Sequence, residues 1–381
     1  MIENYGSQDL RKIDLKKINF FKTLNIVTNG DFCKKFEKKI SKLTGSKYSV
    51  VCNNGTSALL LAILALNKNN VSAILPNINF VAAPNIISLL KGKIILCDVN
   101  KDTGMVDLES FKKCLKDCKK KKISPNIFVP IHYAGDVLEL EKISKLCKKN
   151  SIKIIEDGCH SFGSKKKSLG KTSIVGNCKY SEMTTFSFHP VKNITTLEGG
   201  AVTTNSKKIY NNLLLLRSHS LKKTKINDPY IMKYPTLNFR MSEINALIGI
   251  QQIKELQSFK NKRNQLVKIY IQNLKELKKN FSILNFYNQN VFWHIFVIKL
   301  RNSKIKKKLM LYLKKNRIGC QIHYKPIFMH RAFSRNIIIN NYKESLKFYN
   351  SQLTLPLFTK MRNTDVSRIV NKMKIFFNKY R

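Results

Sequence analysis

Acidic side chains are scarce in this chain: 23 Asp and Glu stand against 70 Lys and Arg in 381 residues, a formal net charge of +47. So basic a protein would ordinarily point to nucleic acid or an anionic membrane, because neutralising phosphates releases their counterions. The lysines recur throughout, however, beside frequent Asn and Ile, and the densest runs, KKCLKDCKKKK (Lys112 to Lys122) and GSKKKSLGK (Gly163 to Lys171), do not add up to one binding stripe. No zinc-finger, helix-turn-helix or RNA-binding signature accompanies them, so nucleic acid is not the expected partner. The charge can still favour capture of a small anion such as a nucleotide diphosphate. Long apolar runs are also missing. ALLLAILAL (Ala58 to Leu66) falls far short of the ~20 residues a membrane helix needs, and MIENYGSQDLRK has no apolar signal segment, so no membrane association is expected and the cytoplasm is the expected compartment. Nine cysteines, an odd number without a CxxC pair, speak against a disulfide framework and against a zinc or other metal site. No internal repeat stands out.

What is present is an alternation. Apolar, often β-branched runs (YSVVC, SAILP, KIILCDV, NIFVPIHY, IKIIEDG, MTTFSF, GAVTT) are interleaved with helical patterns such as LESFKKCLKDCKK and LELEKISKLCKKN. Strands separated by helices predict an α/β fold with a mostly parallel sheet, whose ligand crevice lies at the carboxyl ends of the strands. With 43% hydrophobic residues, the chain can bury a large core and divide into a major and a minor domain. After the long amphipathic stretch from Leu237 to Leu274 the pattern changes to WHIFVIKL, a helix, GCQIHYKP and a last helix, which places the smaller domain at the C-terminal end.

The chemistry is carried by TTFSFHPVKNITTLEGGAVTTN, where Lys192 stands between a strand-like run and a glycine pair. In IIEDGCHSFG, Asp157 ends another apolar run 35 residues earlier. An amine and a carboxylate delivered by separate strands of one sheet suit pyridoxal phosphate, whose aldehyde is held by a lysine and whose pyridine nitrogen stays protonated beside a buried carboxylate. The cofactor's phosphate calls for N–H groups at a helix start together with hydroxyls, and NNGTSALLLAILAL offers Gly55, Thr56 and Ser57 ahead of a helical run. Each piece has an ordinary alternative: a solvated lysine, an Asp or a Gly-Thr-Ser that merely caps a helix, and a Cys159 that is simply a small buried residue. Their joint occurrence in this order favours the site.

SFHPVKNITTLEGGAV resembles the lysine segment of the sugar aminotransferases of the DegT/DnrJ/EryC1/StrS family, and the resemblance runs nearly the whole chain, through NINFVAAPNII, IHYAGD, LRSHS, LNFRMSEINALIGIQQ, FWHIFVI and LTLPLF. It implies a fold type I pyridoxal phosphate-dependent transferase, similar to aspartate aminotransferase. Residues 1–250, with an N-terminal arm, would form a large cofactor-binding domain on a mostly parallel mixed sheet, and residues 251–381 a small α+β domain. It further implies that Lys192 bonds the cofactor and Asp157 pairs with its ring nitrogen. His160 would contact its phenolic oxygen, Phe80 stack on its ring, and Ser187 join Thr56 and Ser57 on its phosphate. Asn238 would reach the phosphate of a neighbouring subunit, so a homodimer with shared active sites is expected.

Within that family, FSFHPVK, EGG, EDGCH and LRSH are most similar to the aminotransferases of pseudaminic acid biosynthesis. That implies amino transfer from L-glutamate to C4 of a UDP-linked 2-acetamido-2,6-dideoxy-4-hexulose, with Tyr5, His189, His323 and Tyr324 as candidates for the sugar-nucleotide pocket. A different nucleotide-linked keto sugar, aminated at C3 or C4 on UDP, GDP or dTDP, and a non-catalytic nucleic-acid-binding relative are the alternatives. Because Lys192 is not replaced by His, the dehydratase branch is disfavoured. Two departures bear on loop geometry: Ser220 stands where the family pattern has glycine after LRSH, and Leu197 where small residues precede EGG.

Overall fold

The protein is described from a computed structural model, in which residues 2–10, 26–66, 70–168, 171–223, 230–284, 291–334, 337–338 and 342–379 are placed. The basic run Gly163 to Lys171 lies within these residues apart from 169–170. The seven apolar runs all form strands of one sheet: β1 (Tyr48–Cys52), β2 (Ser72–Pro76), β3 (Lys93–Cys97), β4 (Ile127–Phe128), β5 (Lys153–Asp157), β6 (Met183–Ser187) and β7 (Gly200–Thr204). Further along the chain come β8 (Phe281–Ile283), β9 (Phe296–Leu300), β10 (Ile337–Ile338) and β11 (Gln352–Leu355). The main sheet has the order β1-β7-β6-β5-β4-β2-β3-β10, in which β7 alone runs against its neighbours. Both faces are covered by helices, which is why its strands read as continuous apolar runs rather than alternating ones. A separate three-stranded antiparallel sheet, β8-β9-β11, belongs to the C-terminal region.

Five helices support the site or join the two regions: α1 (Asp31–Thr44), α2 (Gly55–Ala65), α3 (Ala82–Leu89), α6 (Lys207–Leu216) and α7 (Glu243–Asn273), with α4 (Leu108–Lys120) and α5 (Glu141–Lys149) between α3 and α6. Helix α2 is apolar on all sides because it lies between the sheet and α3 and α6, and Leu59, Leu61, Ala62 and Ile63 are all buried there. Several of the scarce carboxylates are used inside the molecule. Helix α1 has no cap of its own, and the buried Glu243 at the start of α7 accepts from the N–H groups of Gly30 (2.8 Å), Phe32 (2.7 Å) and Cys33 (3.1 Å). Glu37 pairs with the buried Arg217 at 2.7 Å. Asp107 caps α4, and Asp98 takes the N–H groups of Glu344 and Ser345 at the start of the helix Lys343–Ser351.

The C-terminal region has its own core, built from Leu266, Val267 and Tyr270 of α7, from β8, β9 and β11, and from the last helix Asn363–Lys379. Position 250, where the sequence reading divides the chain, falls inside α7. We assign this 31-residue helix as the joint between the two regions: its first turns contact α1 and its last turns enter the second core. The N-terminal arm docks on the C-terminal region, with Ile2 inside that core, its carbonyl accepting from Gly319 (2.8 Å), and the Tyr5 carbonyl accepting from Leu357 (3.0 Å). The two regions also meet closely where the segment Phe292–His294 passes Ala134–Gly135. A Cβ on Gly135, whose φ is +98°, would fall 2.3 Å from the Phe292 carbonyl oxygen, so only glycine permits this approach. Arg263 of α7 fixes the segment from the other side by donating to the carbonyls of Trp293, His294 and Leu357 at 3.3, 3.0 and 2.9 Å.

Candidate active site

At the carboxyl ends of the strands lies a cleft of about 440 Å³. Its floor comes from the main sheet. Asp157 is the last residue of β5 and Ser187 the last of β6, and their adjacency follows from the parallel β5–β6 register. Lys192 is held by the chain between β6 and β7. Its N–H donates to the His189 carbonyl (2.9 Å), the next residue, Asn193, reaches the carbonyls of Phe162 and Phe292, and Phe188 pairs with both Thr196 and Gly199. The lysine is thus fixed at its backbone while its side chain faces the cleft.

The floor is electrostatically unusual. Asp157 is 5% exposed, and its Oδ1 accepts the Cys159 N–H at 3.0 Å. Among the described residues no lysine or arginine closes an ion pair with it. A buried carboxylate without a cation is costly, and a protonated ring nitrogen in the cleft would relieve that cost. Burial lowers the Lys192 amine below its ordinary value while the Asp157 carboxylate pulls the other way. Cys159 is half-buried and lines the cleft, so it is more than a filler: its N–H orients the carboxylate, and burial drives its thiol far up, which keeps it protonated and inert.

Helix α2 meets the floor at its N-terminus. Asn54 caps it by accepting the Ser57 N–H at 2.8 Å, so the cap is Asn54 and not the Gly55-Thr56-Ser57 run. Gly55 and Thr56 line the cleft at the open first turn, opposite Ser187. A Cβ at Gly55 would lie 2.6 Å from the Ser187 Cβ, so glycine brings the helix end against that hydroxyl and leaves a cradle of N–H groups and hydroxyls of the kind a phosphate fits. Ser57 is buried behind the cap and does not line the cleft.

The opposite wall comes largely from the C-terminal region. Tyr324 and His323 line it, with Tyr5 from the arm stacked edge-on to His323 at 4.9 Å. Tyr324 approaches Phe80, 53% exposed and lining the cleft, at 5.7 Å, and its hydroxyl meets His160 Nε2 at 2.7 Å. Burial holds His160 and His294 well below the ordinary histidine value and takes His323 down to about 3, with Lys192 acting in the same sense on all three, while burial raises Tyr324. At neutral pH the wall is therefore uncharged. His189 lies at the mouth, 3.9 Å from Glu198.

Eleven of the thirteen residues singled out from the sequence converge here, all but Ser57 and Asn238. Asn238 is exposed outside its own chain's cleft and accepts the Arg240 N–H at 3.1 Å. Sequence reasoning missed His294, whose ring sits 4.4 Å from His160, Tyr133, whose buried hydroxyl donates to the His323 carbonyl, and Glu198 at the mouth. For His294 and Glu198 the FWHIFVI and EGG motifs held the signal, without a role attached. Both departures from the family pattern fall at left-handed backbone, with φ of +57° at Ser220 and +69° at Leu197, so these turns keep their shape without glycine. No group of three or more metal-ligating side chains occurs among the described residues, and no helix is long and apolar enough to cross a membrane.

Comparison with known proteins is consistent with this site. The model of the DegT/DnrJ/EryC1/StrS aminotransferase family matches residues 8–374. The UDP-4-amino-4,6-dideoxy-N-acetyl-beta-L-altrosamine transaminases of two Campylobacter jejuni serotypes, O:2 and O:23/36, are 29% and 30% identical, each over 95% of this chain and 94% of its own length. The solved structure of Helicobacter pylori PseC, an aminotransferase involved in the biosynthesis of pseudoaminic acid, superposes with a TM-score of 0.87 at 26% identity, over 98% of this chain and 99% of that one. A putative sugar aminotransferase of Streptococcus pneumoniae in its PLP form shares the fold at TM-score 0.87 and 22% identity, over 98% of each chain.

Proposed function

The chain belongs to the DegT/DnrJ/EryC1/StrS aminotransferase family, and from that premise we propose that it transfers an amino group from L-glutamate to C4 of a UDP-linked 2-acetamido-2,6-dideoxy-4-hexulose, a step of pseudaminic acid-type sugar synthesis. The observation that carries the reading is the meeting of Lys192, Asp157 and the Gly55–Ser187 cradle in one cleft. The curated relatives named for that transamination, matched over nearly their full lengths, support the choice of sugar.

The cofactor is pyridoxal phosphate, which supplies an electron sink that carries the amino group between donor and acceptor. The chain's residues do the rest. Gly55 and Thr56 with Ser187 would hold its phosphate, Phe80 would lie against its ring, and Asp157 would keep a proton on its ring nitrogen by charge pairing. Lys192, its amine made easier to deprotonate by burial, would take a proton from the carbon bearing nitrogen and return it to the carbon on the other side of that nitrogen. Both half-reactions use the same base on the same face, and the fixed turn from His189 to Lys192 meets that geometric need.

A second copy of the chain completes the site. Beside Asn238 in the chain, Leu237 is 63% exposed, and Ile26 and Val27, whose carbonyl accepts the Glu243 N–H at 2.9 Å, are 59% and 62% exposed. The hairpin strand Tyr230–Met232 is exposed along its whole length. Apolar surface of this kind around an asparagine is what a homodimer would cover while lending Asn238 to its partner's phosphate site. All nine cysteines are free thiols, as suits the cytoplasm.

The test is turnover of purified, cofactor-loaded protein with glutamate and a panel of keto sugars. The UDP-linked 4-keto sugar is expected to be aminated with equimolar release of 2-oxoglutarate, and 3-keto, GDP-linked or dTDP-linked sugars at least ~10-fold more slowly. Preference for a GDP- or dTDP-linked sugar would replace the acceptor and keep the class. Absence of transamination with every sugar would remove the class and leave the basic surface as the guide to function.

A further inference from the structure

His160 sits at the junction of the two regions, and its ring hydrogen bonds fix a direction. The Ala134 N–H, which can only donate, approaches His160 Nδ1 at 3.4 Å. That nitrogen is therefore the bare, accepting one, and a neutral imidazole with a bare Nδ1 carries its hydrogen on Nε2. Nε2 faces the Tyr324 hydroxyl at 2.7 Å, so His160 donates and the Tyr324 oxygen accepts. The hydroxyl's own hydrogen cannot then be given back to His160. Among the described residues, His160 is the one hydrogen-bond partner of this hydroxyl, and both residues line the cleft with Lys192 and Phe80. The surroundings hold the arrangement in place: His294 packs 4.4 Å from the His160 ring, and Gly135 and Ala134 are locked against Phe292–His294.

We propose that the chain Ala134 N–H to His160 to Tyr324 is a one-way relay that turns the Tyr324 hydroxyl hydrogen into the cleft, where it donates to an oxygen of the acceptor sugar during the second half-reaction. This rests on the transaminase reading and deepens it. Tyr324 touches the substrate, whereas His160 acts through Tyr324 and is a positioning residue. A keto oxygen accepts such a hydrogen, and an ammonium group, which has no lone pair, cannot. The relay thus favours the keto sugar over the protonated amino sugar that replaces it. A tyrosine whose hydrogen was directed at His160 would offer only a lone pair and would show the opposite preference.

Two measurements decide it. In histidine-¹⁵N-labelled wild type without ligand, with the His160 signal assigned through His160→Gln, the ring nitrogens are expected to show a neutral imidazole protonated on Nε2; protonation on Nδ1 would overturn the relay. In single-turnover kinetics of cofactor-loaded Tyr324→Phe, the ratio of the keto-sugar rate constant to the glutamate rate constant is expected to fall about tenfold or more relative to wild type, the worth of one donor lost from a desolvated site. An unchanged ratio would overturn the role of Tyr324. A wild type inert towards glutamate would remove the transaminase reading and the substrate role with it, while the ring spectrum would still decide the direction of the relay.

Discussion

The floor of the cleft and its C-terminal wall are built from opposite materials. The floor, made by strand ends of one sheet, holds Lys192 and Asp157, whose charge states are the chemistry. The wall, made of His323 and Tyr324 with His294 behind them, is a set of rings that burial keeps neutral. Charge concentrated on one side of a small cleft directs the electron and proton flow, whereas a neutral wall can discriminate by hydrogen-bond direction and shape without disturbing the lysine.

The comparison can be broken from the floor upward. Lys192→Ala is expected to abolish turnover, a loss on the order of 10⁴-fold or more in single-turnover assays, since the base proposed for both half-reactions is gone. Asp157→Asn, nearly the same in shape but unable to hold the ring-nitrogen proton by charge, should cost about 10²–10³-fold, with the cofactor still bound and its absorbance altered. Gly55→Ala places a methyl group against Ser187, and we expect cofactor affinity to fall about tenfold or more, with roughly 1–3 kcal/mol lost from unfolding stability as overpacking. Equilibrium dialysis and denaturant titration would read the two effects separately.

The wall's histidines should make stability depend on pH. Burial lowers His160, His294 and His323 in the folded protein, so below the ordinary histidine value of about 6.5 the unfolded chain binds more protons than the native one. The stability these neutral rings contribute is complete above that value and is lost as pH falls from it, for His323 down to about 3. Melting temperature should drop between pH 7 and 5, and His323→Gln should flatten the slope. The smallest effect lies away from the cleft. Ser220 is fully buried at φ +57° with its hydroxyl unpartnered, so Ser220→Gly should raise stability by about 1 kcal/mol, readable as a shift in denaturation midpoint.

The floor was legible in the sequence and so, through the family resemblance, were Tyr5, His323 and Tyr324 of the wall, whereas the ring behind them was not, for a physical reason. Asp157, Ser187 and Lys192 sit at strand ends or in a glycine-flanked turn, where residue type and local pattern are coupled. His294, by contrast, reads as part of an apolar strand, FWHIFVI, and only the crossing of Phe292–His294 over Gly135 brings it to His160. Likewise the seven strands could be read from β-branched runs, while the antiparallel entry of β7, the docking of the N-terminal arm on the C-terminal core and the service of Glu243 as a cap for α1 depend on contacts between distant segments. Cys159 shows the limit of reading by residue type. Its thiol is inert as expected of a buried cysteine, yet its backbone N–H orients Asp157.

The most direct test is the absorbance spectrum of the purified protein with pyridoxal phosphate, before and after glutamate, in wild type and in Lys192→Ala. The wild type should show the long-wavelength band of a lysine-bound cofactor, which glutamate converts to the shorter-wavelength amine form, and the variant should lack the band. A wild type that never forms the band, or a variant that forms it unchanged, would contradict the assignment of Lys192 and the account built on it.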